Sequence, residues 1–218
     1  MRLARGGGIL IACALGFFAA VFLVWWTALM PLPAWLLPAA ILCLLSFLLF
    51  FRDPERVPPP DLSPGIAVSP ADGIVVQTGD EGGGPALAVY LRLSDVHVTR
   101  MPLPGEVKQI DFIPGGHRRA ASPGSRTNAR LVAEFETPWG GMTISQVTGL
   151  LARRIVTYLA NGGTYRRGER IGLIRFGSRV EVVFPDGYRI IVGPGARVRA
   201  GVTPVARPDD GTAAEKVE

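Results

Sequence analysis

Ile174-Arg175-Phe176-Gly177-Ser178-Arg179-Val180-Glu181-Val182 reads as strand, turn, strand. On both sides of the Gly-Ser pair, apolar and β-branched residues alternate with charged ones. That is the period of a strand with one face against a core. The same rhythm recurs outward from it, in residues 66–69, 74–78, 87–93, 106–113, 131–136, 142–147, 155–158, 172–176, 180–184 and 188–192. Between these runs the chain is punctuated by many of its 27 Gly and 19 Pro. Short strands at this spacing predict a mainly β domain, a sandwich or barrel, over residues 66–207. Beyond residue 51 no stretch has a helical period, and at most a single helical turn is expected near 94–96 or 149–153.

Gly177-Ser178 has a chemical reading as well as a structural one. A serine hydroxyl can attack the carbonyl of the residue before it, and the ester so formed can eliminate across Cα–Cβ. The dehydroalanine left behind hydrolyses to an N-terminal pyruvoyl group, a carbonyl able to form a Schiff base with an amine. Gly124-Ser125-Arg126 repeats the tripeptide and serves as an internal control. It lies among turn formers, Ser122-Pro123 before it and Thr127-Asn128 after it, with no strand pattern. A sheet can hold a peptide bond in an attack-ready pose, which a loop of turn formers cannot.

The front of the chain differs in kind. Hydrophobic residues are 48% of the 218-residue chain and concentrate at this end. Residues 9–30 and 34–51 are two apolar runs separated by Pro31-Leu32-Pro33. They predict a helical membrane hairpin occupying residues 1–51, with Trp25, Trp26 and Trp35 at the interface. Arg2 and Arg5 precede the hairpin, Arg52 and Arg56 follow it, and its turn is uncharged, so both ends are expected on the cytoplasmic side. A cleaved signal peptide ending near Ala19-Ala20 is the rival reading, disfavoured by the length of the stretch and by the second run. Pro38 is expected to disrupt the second run, which keeps a hairpin dipping into one leaflet as an alternative to a spanning one. A Pro-rich linker is expected at 52–65, through Pro58-Pro59-Pro60, and an acidic, disordered tail at 208–218.

Composition excludes several classes. Cys13 and Cys43 both lie in the apolar front, so the β domain has no disulfide scaffold or cysteine metal site. The only histidines are His97 and His117, without metal-ligand spacing, and no metal is expected. The net charge is +5, and 23 Lys+Arg include only Lys108 and Lys216 as lysines. An Arg-rich surface suits anionic phospholipid head groups. No aromatic-interleaved basic run points to nucleic acid.

An ordered set of motifs accompanies the Gly-Ser bond. It comprises Phe50-Phe51-Arg52-Asp53-Pro54, Ser69-Pro70-Ala71-Asp72-Gly73, Ser94-Asp95-Val96-His97-Val98, Asn128-Ala129-Arg130, Gln146-Val147-Thr148-Gly149, Ala152-Arg153-Arg154-Ile155-Val156 and Gly168-Glu169-Arg170-Ile171-Gly172. In this order, ending at Phe176-Gly177-Ser178-Arg179, the chain resembles the phosphatidylserine decarboxylase proenzymes of the short prokaryotic type. The resemblance runs from about residue 50 to 185. It implies self-cleavage at 177/178 into a β chain, 1–177, and an α chain, 178–218, that stay together as a heterodimer, with a further homo-oligomer left open. It implies that Ser178 becomes the pyruvoyl cofactor, with no metal. It also implies decarboxylation of phosphatidylserine to phosphatidylethanolamine and carbon dioxide at the cell membrane. An archaeal-type ether serine lipid is an alternative substrate, since the reaction sees only the head group.

The resemblance also implies roles for single residues. His97 is a candidate general acid or base, on the same face as Asp95 if the segment is extended. Asp72 resembles the acidic partner in self-cleavage. Larger relatives carry a second histidine where this chain has Arg100, which leaves the base for cleavage open between His97 and Asp72. Asn128, Arg130, Arg153 and Arg154 are candidates for holding phosphate or carboxylate. His117 is expected to be a solvated loop residue, or at most a head-group contact.

A second function class competes. Gly168–Gly172 and residues 195–201 also resemble hairpins of lipoyl and biotinyl carrier domains, which supports a barrel-sandwich hybrid fold and allows a non-catalytic membrane-tethered adaptor. A carrier needs a lysine at a hairpin tip. Lys108 falls in a predicted strand and Lys216 in the tail, which argues against that class.

Overall fold

A computed structural model describes residues 2–4, 6–27, 31, 33–81, 84–118, 127–150, 154–175 and 178–209. The chain divides into two compact units, Met1–Glu55 and Arg56–Glu218.

In the first unit, strand β1 (Arg2–Leu3) pairs antiparallel with β2 (Arg52–Asp53), bracketing helices α1 (Gly8–Thr27) and α2 (Leu36–Phe50), which pack on one another. At 1.5 Å per residue α1 is about 30 Å long, enough to cross a hydrocarbon core, whereas α2 reaches only about 22 Å. Of the described helices, α1 alone is long and apolar enough to cross a membrane. Pro38 does not break α2. It sits in the first turn, where the missing N–H has no helical partner to lose.

The second unit is mainly β, and among the described residues it contains no α-helix. Its first strands are β3 (Ala67–Val68), β4 (Gly73–Glu81), β5 (Gly84–Leu91), β6 (Val98–Arg100) and β7 (Gly105–Ile113). Then come β8 (Arg130–Thr137), β9 (Gly140–Val147), β10 (Ile155–Thr157), β11 (Thr164–Tyr165) and β12 (Arg170–Ile174). The last four are β13 (Ser178–Val183), β14 (Tyr188–Ile190), β15 (Arg197–Val198) and β16 (Pro204–Pro208). Eight of them form one curled antiparallel sheet in the order β11-β7-β8-β9-β13-β5-β4-β15. Two three-stranded sheets, β10-β12-β6 and β14-β16-β3, complete the unit.

The alternation read from the sequence is the burial pattern of the sheet. Leu131, Ala133 and Phe135 of β8, Met142 and Ile144 of β9, and Val180 and Val182 of β13 all face one core. Ala67, Ile171, Ile174, Val205 and Ala206 come to the same core from the smaller sheets. Register shifts at Val75/Gln77 and Val107/Gln109 mark bulges, which add twist and help curl the large sheet.

The Pro-rich stretch expected as a linker belongs largely to this unit. Arg167 donates from Nη1 to the carbonyls of Ser63 (2.7 Å) and Ile66 (2.9 Å), and from Nη2 to that of Leu62 (3.1 Å). The sequence pattern missed β6, β11, β15 and β16, which are too short, or too flanked by Pro204 and Pro208, to show a period. The expected acidic tail lies, beyond Asp209, outside the described residues.

Candidate active site at one end of the sheet

β12 and β13 belong to different sheets, so the chain passes from one to the other between Ile174 and Ser178. Gly177 and Phe176 lie outside the described residues, as does Arg153. Ser178 opens β13, opposite Leu91 of β5. It is on the core face with Val180 and Val182, completely buried, and its Oγ has no hydrogen-bond partner among the described residues. A buried hydroxyl without a partner costs about 1–3 kcal/mol of desolvation, so such atoms are rare in folded proteins.

Two links tie His97 to this strand. Ile174 donates its N–H to the carbonyl of His97 (3.3 Å), at the end of β12 that leads into Ser178. Two residues past His97, Thr99 Oγ1 accepts a 2.5 Å hydrogen bond from Gln146 Nε2, and Gln146 stands opposite Val180, two residues past Ser178. His97 and Ser178, both fully buried, therefore sit at the same end of the core. The segment before His97 is a turn at residues 93–95, near where the sequence allowed one, and not the extended run that would set Asp95 and His97 on one face. The Asp95 carboxylate accepts from the Arg92 backbone N–H (2.8 Å), and it is the Asp95 carbonyl that meets His97 Nδ1 (2.9 Å). A carbonyl only accepts, so Nδ1 carries the proton, and in the neutral ring Nε2 is the basic nitrogen.

Gln146 received no role from the sequence. Its Nε2 serves Thr99, but its Oε1 is buried without a partner among the described residues. A β-carbon added at Gly172 would lie 2.8 Å from both the Val156 carbonyl oxygen and Gln146 Nε2, so the backbone at this point has room for glycine and the carboxamide lies against it. The legible signal was polarity at an inward position, after Met142 and Ile144 in the same alternation.

Asp72 lies about two strand spacings, roughly 10 Å, from Ser178, because Ile74 pairs with Tyr90 and Leu91 with Ser178. Its position depends on Gly73, whose φ of 150° and contact with Tyr90 O, 2.0 Å from a built β-carbon, exclude a side chain. Arg56 grips the Asp72 carboxylate in a two-pronged ion pair, with Nη2 to Oδ2 at 2.7 Å, and Ala200 N–H donates to Oδ1 at 2.8 Å. Arg100 is buried beside this cluster. Its Nη1 donates to Gly168 O (2.9 Å), and its backbone N–H donates to Pro70 O (2.8 Å).

The head-group candidates separate. Asn128 is buried, and its amide clips backbone: Oδ1 accepts from Arg118 N, while Nδ2 donates to Arg118 O and Thr148 O (2.7 Å each). Arg130 pairs with Val147 on the sheet face opposite Ser178, lining a groove with Gln77, Ser145 and Glu181. Arg154 is exposed, and its carbonyl accepts from Arg175 N–H (3.2 Å) just upstream of Ser178. Burial, and then the neighbouring Arg154 guanidinium, hold the Arg175 pKa below the ordinary range, so two cations crowd this approach. His117 is half-buried, with Nδ1 3.4 Å from Thr148 Oγ1. Among the described residues no cluster of three or more His, Cys, Asp or Glu is placed to hold a metal.

The phosphatidylserine decarboxylase family profile matches residues 44–206. A phosphatidylserine decarboxylase proenzyme of Streptomyces griseus is 42% identical over 163 residues, covering 74% of each chain. One from Nitratidesulfovibrio vulgaris is 44% identical over 168 residues, covering 72% of this chain and 76% of its own. A Methanosarcina acetivorans protein named for archaetidylserine decarboxylation is 39% identical over 158 residues, covering 72% and 73%.

Proposed function

The chain belongs to the phosphatidylserine decarboxylase family, and from that premise we propose that it is a self-cleaving, pyruvoyl-dependent decarboxylase of phosphatidylserine, acting in phospholipid biosynthesis. The observation that carries this reading is Ser178: a buried hydroxyl with no partner among the described residues, at the start of a strand and directly after the crossing between sheets. In self-cleavage Ser178 Oγ loses its proton and bonds to the Gly177 carbonyl carbon, and the Gly177–Ser178 C–N bond breaks to leave an ester. Loss of the Ser178 Cα proton expels Gly177 as a carboxylate, and water then releases ammonia and leaves the pyruvoyl end.

The residues present suit that group, since Ser178 is already dry and held in the sheet. Once formed, the group supplies an electron sink for the pair left when the substrate carboxylate departs. His97 Nε2 takes the Ser178 proton in cleavage and returns a proton to the substrate carbon in turnover. Gln146 fixes the distance between the two strands, and Arg154 with Arg175 draws in the anionic head group. Asp72 acts by holding the turn before β4 through Arg56 rather than as a base.

The expected partners are phosphatidylserine, an anionic membrane surface and the chain's own two cleavage products. The Arg-flanked apolar front motivates a catalytic unit on the cytoplasmic face of the cell membrane. The Methanosarcina relative favours a second substrate, an archaetidylserine with the same head group, and the two lipids are best compared side by side.

Mass spectrometry of the purified protein tests the proposal. The expected result is two fragments meeting at 177/178, the second beginning with a pyruvoyl residue in place of serine. Ser178→Ala is expected to remain one intact chain that releases no carbon dioxide from phosphatidylserine micelles. Normal cleavage of that variant at the same bond, or an uncut and active wild-type chain, refutes the mechanism.

A further inference from the structure

Among its described residues the Arg56–Glu218 unit leaves few large apolar side chains in water, and they are unevenly spread. Leu93 (53% exposed), Phe112 (62%), Ile113 (39%) and Leu150 (58%) all lie where strands finish at the Ser178 end of the large sheet. Leu93 follows β5, Phe112 and Ile113 close β7, and Leu150 follows β9. The pairs Ser178↔Leu91, Arg179↔Val147, Arg130↔Val147 and Ile113↔Arg130 set these strand ends side by side. Four strand spacings, roughly 19 Å, separate β5 from β7. The other exposed large apolar residues described in this unit, Val57, Val76 and Ile191, are dispersed through the linker, β4 and the stretch after β14.

Charge follows this division in part. Arg118 and Arg154 are exposed on loops of this rim, beside the exposed Asp111 of β7, while turns at the far end present Asp80, Glu136 and Asp186 together with Lys108 and Arg166. Leucine and phenylalanine gain by leaving water for the acyl boundary, and guanidinium pairs with lipid phosphate beside them.

We propose that this rim docks on the surface of an anionic bilayer, so that a lipid head group approaches Ser178 through the strand ends while its acyl chains stay in the membrane. The docking rests on the reading of the chain as a phospholipid decarboxylase, but its test does not use turnover. The full chain, with C13S and C43S, carries one fluorophore on Leu150→Cys, Phe112→Cys or Asp186→Cys. It is reconstituted in vesicles of brominated phosphatidylcholine, alone or mixed equally with phosphatidylglycerol. The expected result is several-fold quenching at 150 and 112 in the anionic vesicles. That quenching should weaken in phosphatidylcholine alone and with Arg118→Glu, and none is expected at 186. An uncut S178A chain should behave identically, so failure of the catalytic reading leaves this result standing. The absence of quenching at 150 and 112, equal quenching at 186, or indifference to phosphatidylglycerol overturns the proposal. Energy transfer between 112-labelled copies without quenching also overturns it, because a second copy would then cover the rim.

Discussion

Two buried polar regions lie about two strands apart and are built on opposite terms. Around Asp72, both carboxylate oxygens are engaged by Arg56 and Ala200 N–H, and Arg100 is tied to Gly168 and Pro70. Around Ser178, the hydroxyl and the Oε1 of Gln146 have no partner among the described residues. A satisfied polar cluster fixes backbone, and an unsatisfied one holds free energy that a reaction can release. In the proposed mechanism this contrast gives Asp72 a supporting role and Ser178 the chemistry, although the sequence motifs gave the two equal prominence.

His97→Ala tests the chemical side and carries the largest expected effect. Carbon dioxide release from phosphatidylserine in micelles should fall by ~10²–10⁴-fold, as for loss of a general acid–base group. Cleavage, followed by gel on the same sample, should slow by less. A fully cleaved His97→Ala protein with near-normal turnover would move His97 to the supporting side.

Asp72→Ala tests the other region. It leaves the Arg56 guanidinium without its carboxylate in a largely buried site, and stability should fall by about 3–5 kcal/mol in denaturant unfolding. A variant that keeps its stability and fails to cut itself would put the Asp72 carboxylate into the reaction and dissolve the comparison.

Gln146→Leu is the finest test. Leucine is similar in size and removes an unpartnered acceptor, but it strips the buried Thr99 Oγ1 of its donor, so stability should fall by about 1–3 kcal/mol. Self-cleavage should also slow about tenfold, equivalent to ~1.4 kcal/mol in the barrier, because β6, which follows His97, loses its tie to β9, the neighbour of β13. Gln146→Asn, too short to reach Thr99, should behave like leucine, whereas Gln146→Glu should restore part of the rate. Unchanged cleavage in all three would leave Gln146 a core residue.

Much of this site was readable because its signals are local. Gly177-Ser178 stood out by the strands on either side, and Asp72 and His97 stood in short recognisable motifs. The supporting residues were not readable. Arg56 and Asp72 are far apart in sequence, and nothing in Glu55-Arg56-Val57 announces an ion pair. Arg130 and Arg154 look alike in sequence, yet one lies on the sheet face opposite Ser178 and the other on the approach to it. Asn128 read as a ligand-holding amide, and in the fold its donors go to backbone.

The sequence by itself determined what depends on period and composition. It set the apolar helices at the front, the alternating strands with their inward faces, and a serine where one of those strands begins. Those properties arise from neighbours along the chain, where side-chain direction follows from backbone geometry. Tertiary structure alone decided which strands became neighbours, and hence that His97, Gln146 and Ser178 share one end of the core while Asp72 is held apart by Arg56. Register and sheet crossing are set by packing between distant segments, and a one-residue slip would have turned Ser178 to the opposite face.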